Sequence, residues 1–303
     1  MQRVRSASGE WFGLLLLDKP AGLSSNRALQ SAKRLFGATK AGHGGSLDPL
    51  ATGMLPVFFG AATRLAGHLL DARKTYRVTA KLGQATTTGD AEGEVTADLS
   101  HEPKPELERI AAALTACTGE IDQIPPMFSA LKREGVPLYR LARSGIVVER
   151  APRRVTIEAL TLERYEWPAL TLTVRCSKGT YVRTLVEDLA YAAGTVAHVA
   201  ALRRLSIEPF AEGAMRSFAT LEAAAGEGQA ALERCLVAPD AALTRWPAAQ
   251  LAAPEAIRLA QGQAVPAPDA AAGPTKVYDL DGRFIAIGTV SNGLLRPDRV
   301  FQR

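Results

Sequence analysis

Residues 75–82 (TYRVTAKL) alternate apolar and polar side chains without a break, so Tyr76, Val78, Ala80 and Leu82 share one face. A period of two over that length specifies a half-buried strand, and a strand of this kind needs a sheet around it and a core behind it. Residues 170–176 (LTLTVRC) repeat the pattern. Helical spacing lies close by: Val182, Leu185, Val186 and Leu189 fall at i, i+3, i+4 and i+7, with Thr180 placed to cap the helix. Ser25 or Asn26 is the expected cap of an earlier helix through Leu29, Ala32, Lys33 and Phe36, and a third is predicted over 105–117. Strands mixed with helices, without regular βαβ crossovers, predict an α+β fold with a mainly antiparallel sheet flanked by helices.

The apolar run at 11–17 is too short to span a bilayer, and it lacks the small-residue site at which a signal peptide is cleaved. It reads as a buried strand over 12–17 behind a frayed N-terminus. No membrane segment is expected. Residues 86–94 (TTTGDAEGE) are turn-forming and carry no hydrophobic periodicity. After about residue 210 the chain turns rich in Ala, and 261–274 (QGQAVPAPDAAAGP) reads as a loop. Beyond it, two apolar runs around Asp281-Gly282 give a hairpin signal. The expected division is a catalytic domain over 1–246 and a small β-rich domain over 247–303.

Three scattered cysteines (Cys117, Cys176, Cys235) build neither a disulfide framework nor a Cys-rich metal site. The four histidines show no i, i+4 pair, and no Walker or GxGxxG phosphate loop is present. These features point to a reducing, cytoplasmic setting and to chemistry without a metal or cofactor. Nothing in the sequence demands an oligomer, and a monomer is expected. Charge is unevenly placed. Residues 1–82 carry a net +8 and residues 123–154 a net +5, which leaves −8 for the remainder of a chain whose total is +5. Clustered cations suit a polyanionic partner through counterion release. On charge alone a solvated basic face stays equally open.

The segment at 41–53 (AGHGGSLDPLATG) carries the chemical interest. Its glycines permit close backbone approach, and Pro49 biases Asp48 toward an extended or turn conformation. A carboxylate on a stiffened loop between Leu47 and Leu50 suits a nucleophile or general base. By spacing alone an Asp-Pro turn or helix cap serves as well. Arg183 falls in the first turn of its helix, where the macrodipole disfavours a cation. A carboxylate partner would offset that penalty: Asp48 if the two loops meet, Glu187 at i+4 otherwise.

Four blocks in order, LLLLDKPAGLSSN, GHGGSLDPLATGMLP, KTYRV and SKGTYVRTL, closely resemble the tRNA pseudouridine-55 synthases of the TruB family from about residue 12 to 210. The resemblance implies a pseudouridine synthase fold with a PUA-like C-terminal domain. It implies cofactor-free isomerisation of a T-loop uridine in tRNA, with Asp48 as nucleophile and Arg183 as its ion-pair partner. Tyr76 matches the base-stacking position with a proton-transfer role for its hydroxyl, against a plain core tyrosine. Tyr181 and Leu202 match positions that enclose the flipped uridine, His43 one that inserts into the T-loop, and Lys19 one that buttresses the catalytic loop. Arg64 stands where relatives often carry Lys, keeping an RNA-facing charge. Gly44 and Ser46 depart from a more usual Thr and Ala or Thr, which loosens the loop. The basic stretch 123–154 matches an insertion that closes on the T-arm like a thumb, with Tyr139, Leu141 and Ile146 as its apolar anchors. Two other classes stay in view. One is a tRNA-folding chaperone, which could dispense with Asp48. The other is an N-glycoside hydrolase, which would want paired carboxylates where the motif offers no second acid.

Overall fold

The computed structural model describes Arg5 and residues 9–301, so the N-terminal stretch expected to fray lies largely outside the described residues. Residues 75–82 do form a strand, Lys74–Leu82, with Tyr76, Val78, Ala80 and Leu82 all buried. It lies inside an eight-stranded sheet. The order runs Leu14–Lys19, Thr52–Phe59, Ala197–Ile207, Lys74–Leu82, Ala169–Cys176, Arg153–Glu166, Gly119–Gln123, and Ala41–His43 pairs with Thr52–Phe59 at one side. Neighbours are antiparallel except at one seam, where Ala197–Ile207 runs parallel to Thr52–Phe59 with Arg204 opposite Gly53. Gly53 has φ +95°, and a Cβ there would lie 2.3 Å from the Arg204 carbonyl oxygen. The seam therefore closes only on glycine.

The helix Val182–Ala192 buries Val182, Leu185, Val186 and Leu189 against the sheet, as its spacing predicts. Its cap differs from the expectation. Thr180 donates instead to the Ser177 carbonyl, Tyr181 occupies the cap position, and the Gln123 side chain accepts from the Tyr181 N–H at 3.0 Å. A strand remote in sequence thus fixes the cap residue, and no side chain caps the helix itself. The earlier helix, Ser25–Leu35, is capped by Ser24, whose hydroxyl accepts from the Arg27 N–H, rather than by Ser25 or Asn26. Ser25 turns its hydroxyl to another segment, described below.

The C-terminal sheet has five strands in the order Ala248–Leu251, Gly273–Asp279, Phe284–Ser291, Leu294–Val300, Val265–Pro266. The loop expected over 261–274 contributes one of those short strands. The sheet also shares its core with the larger one: Phe284, Ile287 and Phe301 pack with Phe12, Leu14 and Met54. Among the described residues no helix is long and apolar enough to cross a membrane.

Candidate active site

A cavity of about 760 Å³ opens where the loop at 46–49, the turn at 88–92, the stretch at 128–130, the helix Leu138–Arg143 and the start of the helix Ser25–Leu35 converge. Asp48 lies on its wall with a side chain 43% exposed, able to meet whatever enters. The backbone on both sides of it is fixed. The Ser25 hydroxyl accepts from the Leu47 N–H at 2.7 Å and donates to the Leu47 carbonyl at 2.9 Å. On the other side the Lys19 ammonium donates to the Pro49 carbonyl at 3.2 Å, and the Gly22 N–H adds a bond of 2.9 Å to the same oxygen. Lys19 is fully buried and also holds the Pro20 and Leu23 carbonyls. Burial brings its pKa down to about 8, with the charge of Asp48 opposing the fall.

Arg183 meets Asp48. Its Nε lies 3.1 Å from Asp48 Oδ2 and 3.8 Å from Asp90 Oδ2, while its two Nη groups donate to the Thr88 and Phe128 carbonyls at 2.7 Å. One guanidinium, 6% exposed, thereby ties together the Asp48 loop, the 88–92 turn and the start of the basic stretch 123–154. Its planar fork suits this, since each N–H points at a separate acceptor. Burial pushes the Asp48 carboxyl above its usual range, Arg183 pulls it back, and the nearby Asp90 charge raises it again. Arg183, with a smaller contribution from Lys19, therefore favours the carboxylate in a setting that otherwise favours the neutral acid.

Asp90 and Glu92 are the acids that the sequence reading missed. The motif holds no second acid, but the turn at 86–94 brings these two to the cavity wall. Asp90 accepts from the Thr88 hydroxyl at 2.6 Å and the Glu92 N–H at 3.1 Å through one oxygen, leaving the other toward Arg183. Burial and the charges of Asp90 and Asp48 raise the Glu92 carboxyl. The density of acids and glycines in TTTGDAEGE was the available signal. Among the described residues, no group of three or more His, Cys, Asp or Glu side chains is arranged to hold a metal ion.

His43 joins Asp48 and Arg183 on the cavity wall. Its Nδ1 has no hydrogen-bond partner, and burial followed by the Arg204 charge lowers its pKa. Tyr76 and Leu202 lie in the core beside Leu47, and burial raises the Tyr76 phenol. Tyr181 is half-buried next to Ser129, its phenol also raised by burial. Arg64 stands apart from the cavity, in the turn Gly60–Leu65, and donates to the Val300 carbonyl of the C-terminal domain at 2.6 Å. In the insertion Leu138 is the buried anchor, Tyr139 lines the cavity, and Ile146 is exposed rather than anchoring.

Solved structures share this architecture. A chain in the crystal structure of a Cbf5–Nop10–Gar1 complex matches with a TM-score of 0.75 at 23% identity, over 96% of this chain and 85% of that one. A chain of the archaeal box H/ACA Nop10–Cbf5 complex gives 0.72 at 21% identity, over 96% and 86%. The fold is that of the pseudouridine synthases. Family models match in sequence as well: the N-terminal domain of TruB family pseudouridylate synthase over 33–182, the tRNA pseudouridylate synthase B C-terminal domain over 183–244, and the pseudouridine synthase II TruB C-terminal model over 247–301. "tRNA pseudouridine synthase B" of Pseudomonas aeruginosa is 49% identical over the full length of both chains. Its namesake in Ectopseudomonas mendocina is 50% identical over 99% of this chain and 98% of its own. The chain belongs to the TruB family of pseudouridylate synthases.

Proposed function

We propose that this protein isomerises uridine to pseudouridine at position 55 in the T-loop of tRNA, with Asp48 as the nucleophile. The observation that carries this reading is the Asp48–Arg183 pair, 3.1 Å apart, on a loop fixed at Leu47 and Pro49 and facing an open cavity. In the reaction the N1–C1′ bond of the uridine breaks, the uracil turns over, a C5–C1′ bond forms, the C5 proton leaves and N1 takes up a proton. Attack at C1′, elimination to a glycal and attack at C6 all need an ionised carboxylate. Arg183 supplies the charge that keeps it so when RNA expels water from the cavity.

Such a site is reachable only by a base that has left its stack. Tyr76 stacks on the extruded base and offers its hydroxyl for proton transfer, Tyr181 and Leu202 enclose it, and His43 fills the place the base vacated in the T-loop. Lys19 buttresses the loop. Residues 123–154 close on the T-arm as a thumb of the 1–246 catalytic domain. The 247–303 domain, PUA-like, meets the acceptor-arm side, with Arg64 at the junction contacting phosphate. The protein works in the cytoplasm as a monomer on tRNA, without metal or cofactor.

Full-length identity near one half to proteins named for tRNA supports the choice of substrate. A chaperone without catalysis needs neither the fixed loop nor the ion pair. A tRNA transcript tritiated at uridine C5 tests the reading: wild-type protein should release the T-loop tritium to water while the base stays attached. Retained tritium, or free uracil, would overturn it.

A further inference from the structure

Arg204 lies in the strand Ala197–Ile207 and is only 2% exposed. Among the described residues no carboxylate lies within ion-pair distance of its guanidinium. Backbone carbonyls receive it instead: Nε donates to Met54 at 2.7 Å, Nη1 to Ser46 at 3.2 Å and Nη2 to Gly45 at 3.4 Å. Strand register sets Arg204 directly opposite Tyr76, so both side chains leave the sheet on one face, and the guanidinium reaches the phenol. The close seam at Gly53 brings the arginine under the loop that carries Asp48.

A buried, unpaired cation is an expensive way to fill a core, and a neutral side chain of similar volume would serve stability alone at lower cost. What the guanidinium adds is a rigid fork that orders several groups at once. Here those groups are the backbone two and three residues before Asp48 and the phenol proposed to meet the base. We infer that Arg204 is a positioning residue of the isomerisation, holding the Gly45–Ser46 backbone and the Tyr76 phenol in one fixed relation. The inference rests on the roles proposed for Asp48 and Tyr76. Lysine can keep the charge there but not the fork.

The test compares Arg204→Lys, Tyr76→Phe and the double variant in single-turnover assays on full-length tRNA, with near-UV circular dichroism, filter binding and an Asp48→Asn control. Arg204→Lys should fold, bind tRNA as the wild type does, and lose about 100-fold in rate, the scale expected when reacting groups are displaced by about an ångström. In the Tyr76→Phe background the further loss should shrink to a few-fold, because the two residues act together. Arg204→Gln repeats the series if the lysine variant does not fold. A wild-type rate, an equal loss in both backgrounds, lost tRNA affinity, or failure of both variants to fold would each overturn the inference. Activity in Asp48→Asn would overturn the underlying reading instead.

Discussion

The cations around the cavity and those of the basic insertion are alike in sequence and opposite in use. Lys19, Arg183 and Arg204 are buried and hold the carbonyls that shape the site, with Arg183 alone also paired to Asp48. Lys132, Arg133 and Arg140 lie exposed along the hairpin and helix of residues 132–143, whereas the exposed Arg143 reaches the cavity wall. A charge count treats both groups as footprint for a polyanion. Burial separates them: under the proposed function the inward cations set the geometry on which turnover depends, and the outward ones set affinity.

That division makes the largest claim about Arg183. Arg183→Met should lower the single-turnover plateau by about 10²- to 10³-fold, a loss on the scale of removing a group that stabilises charge at a reacting centre, while tRNA affinity holds. The variant should also move the acid limb of the rate profile to higher pH, because the main influence lowering the Asp48 pKa is gone. If filter binding showed affinity falling and the plateau holding, Arg183 would belong with the outward group. Lys132→Ala combined with Arg140→Ala should do the reverse. Its plateau stays at the wild-type value, and the slope of log affinity against log salt falls by roughly 1.5 to 2 units.

A smaller effect separates activity from stability at alkaline pH. Lys19 has its pKa lowered to about 8 in the folded protein, against an ordinary lysine value of 10.5. Between those values the unfolded chain holds the proton that the folded one has lost, so this group's contribution to stability rises with pH across that window. Activity should fall instead as pH passes about 8, because the ammonium that holds Pro49 is lost. Lys19→Met should lose this alkaline limb, which rate–pH profiles beside urea melts would show. The smallest expected effect is on Asp48→Asn. Its folded pKa is raised, so ionisation costs stability above that pKa, and the amide should melt slightly higher than wild type at neutral pH. A lower melting temperature would mean that the ion pair contributes more to the fold than burial takes away.

Local rules made some of this legible in advance. Strict alternation gave the strand at Lys74–Leu82, and the dipole argument for Arg183 asked for a carboxylate that Asp48 supplies at 3.1 Å. What stayed hidden depends on distant contacts. Asp90 reads as one acid in a polar turn until the fold carries it to a helix more than ninety residues later. Arg204 reads as solvated charge after Leu202 because only the parallel seam, which no local pattern announces, puts it beneath the loop. Ser25 failed as a cap for the same reason, because Leu47 claims its hydroxyl, whereas Thr180 spends its hydroxyl locally on the Ser177 carbonyl.

The most direct measurement maps pseudouridine along unmodified tRNA after incubation with wild-type protein and with Asp48→Asn, beside a binding isotherm for each. Isomerisation confined to the T-loop uridine with wild type, and none with the variant at equal tRNA affinity, is the expected result. Pseudouridine formed by Asp48→Asn at the wild-type rate would contradict the account at its centre.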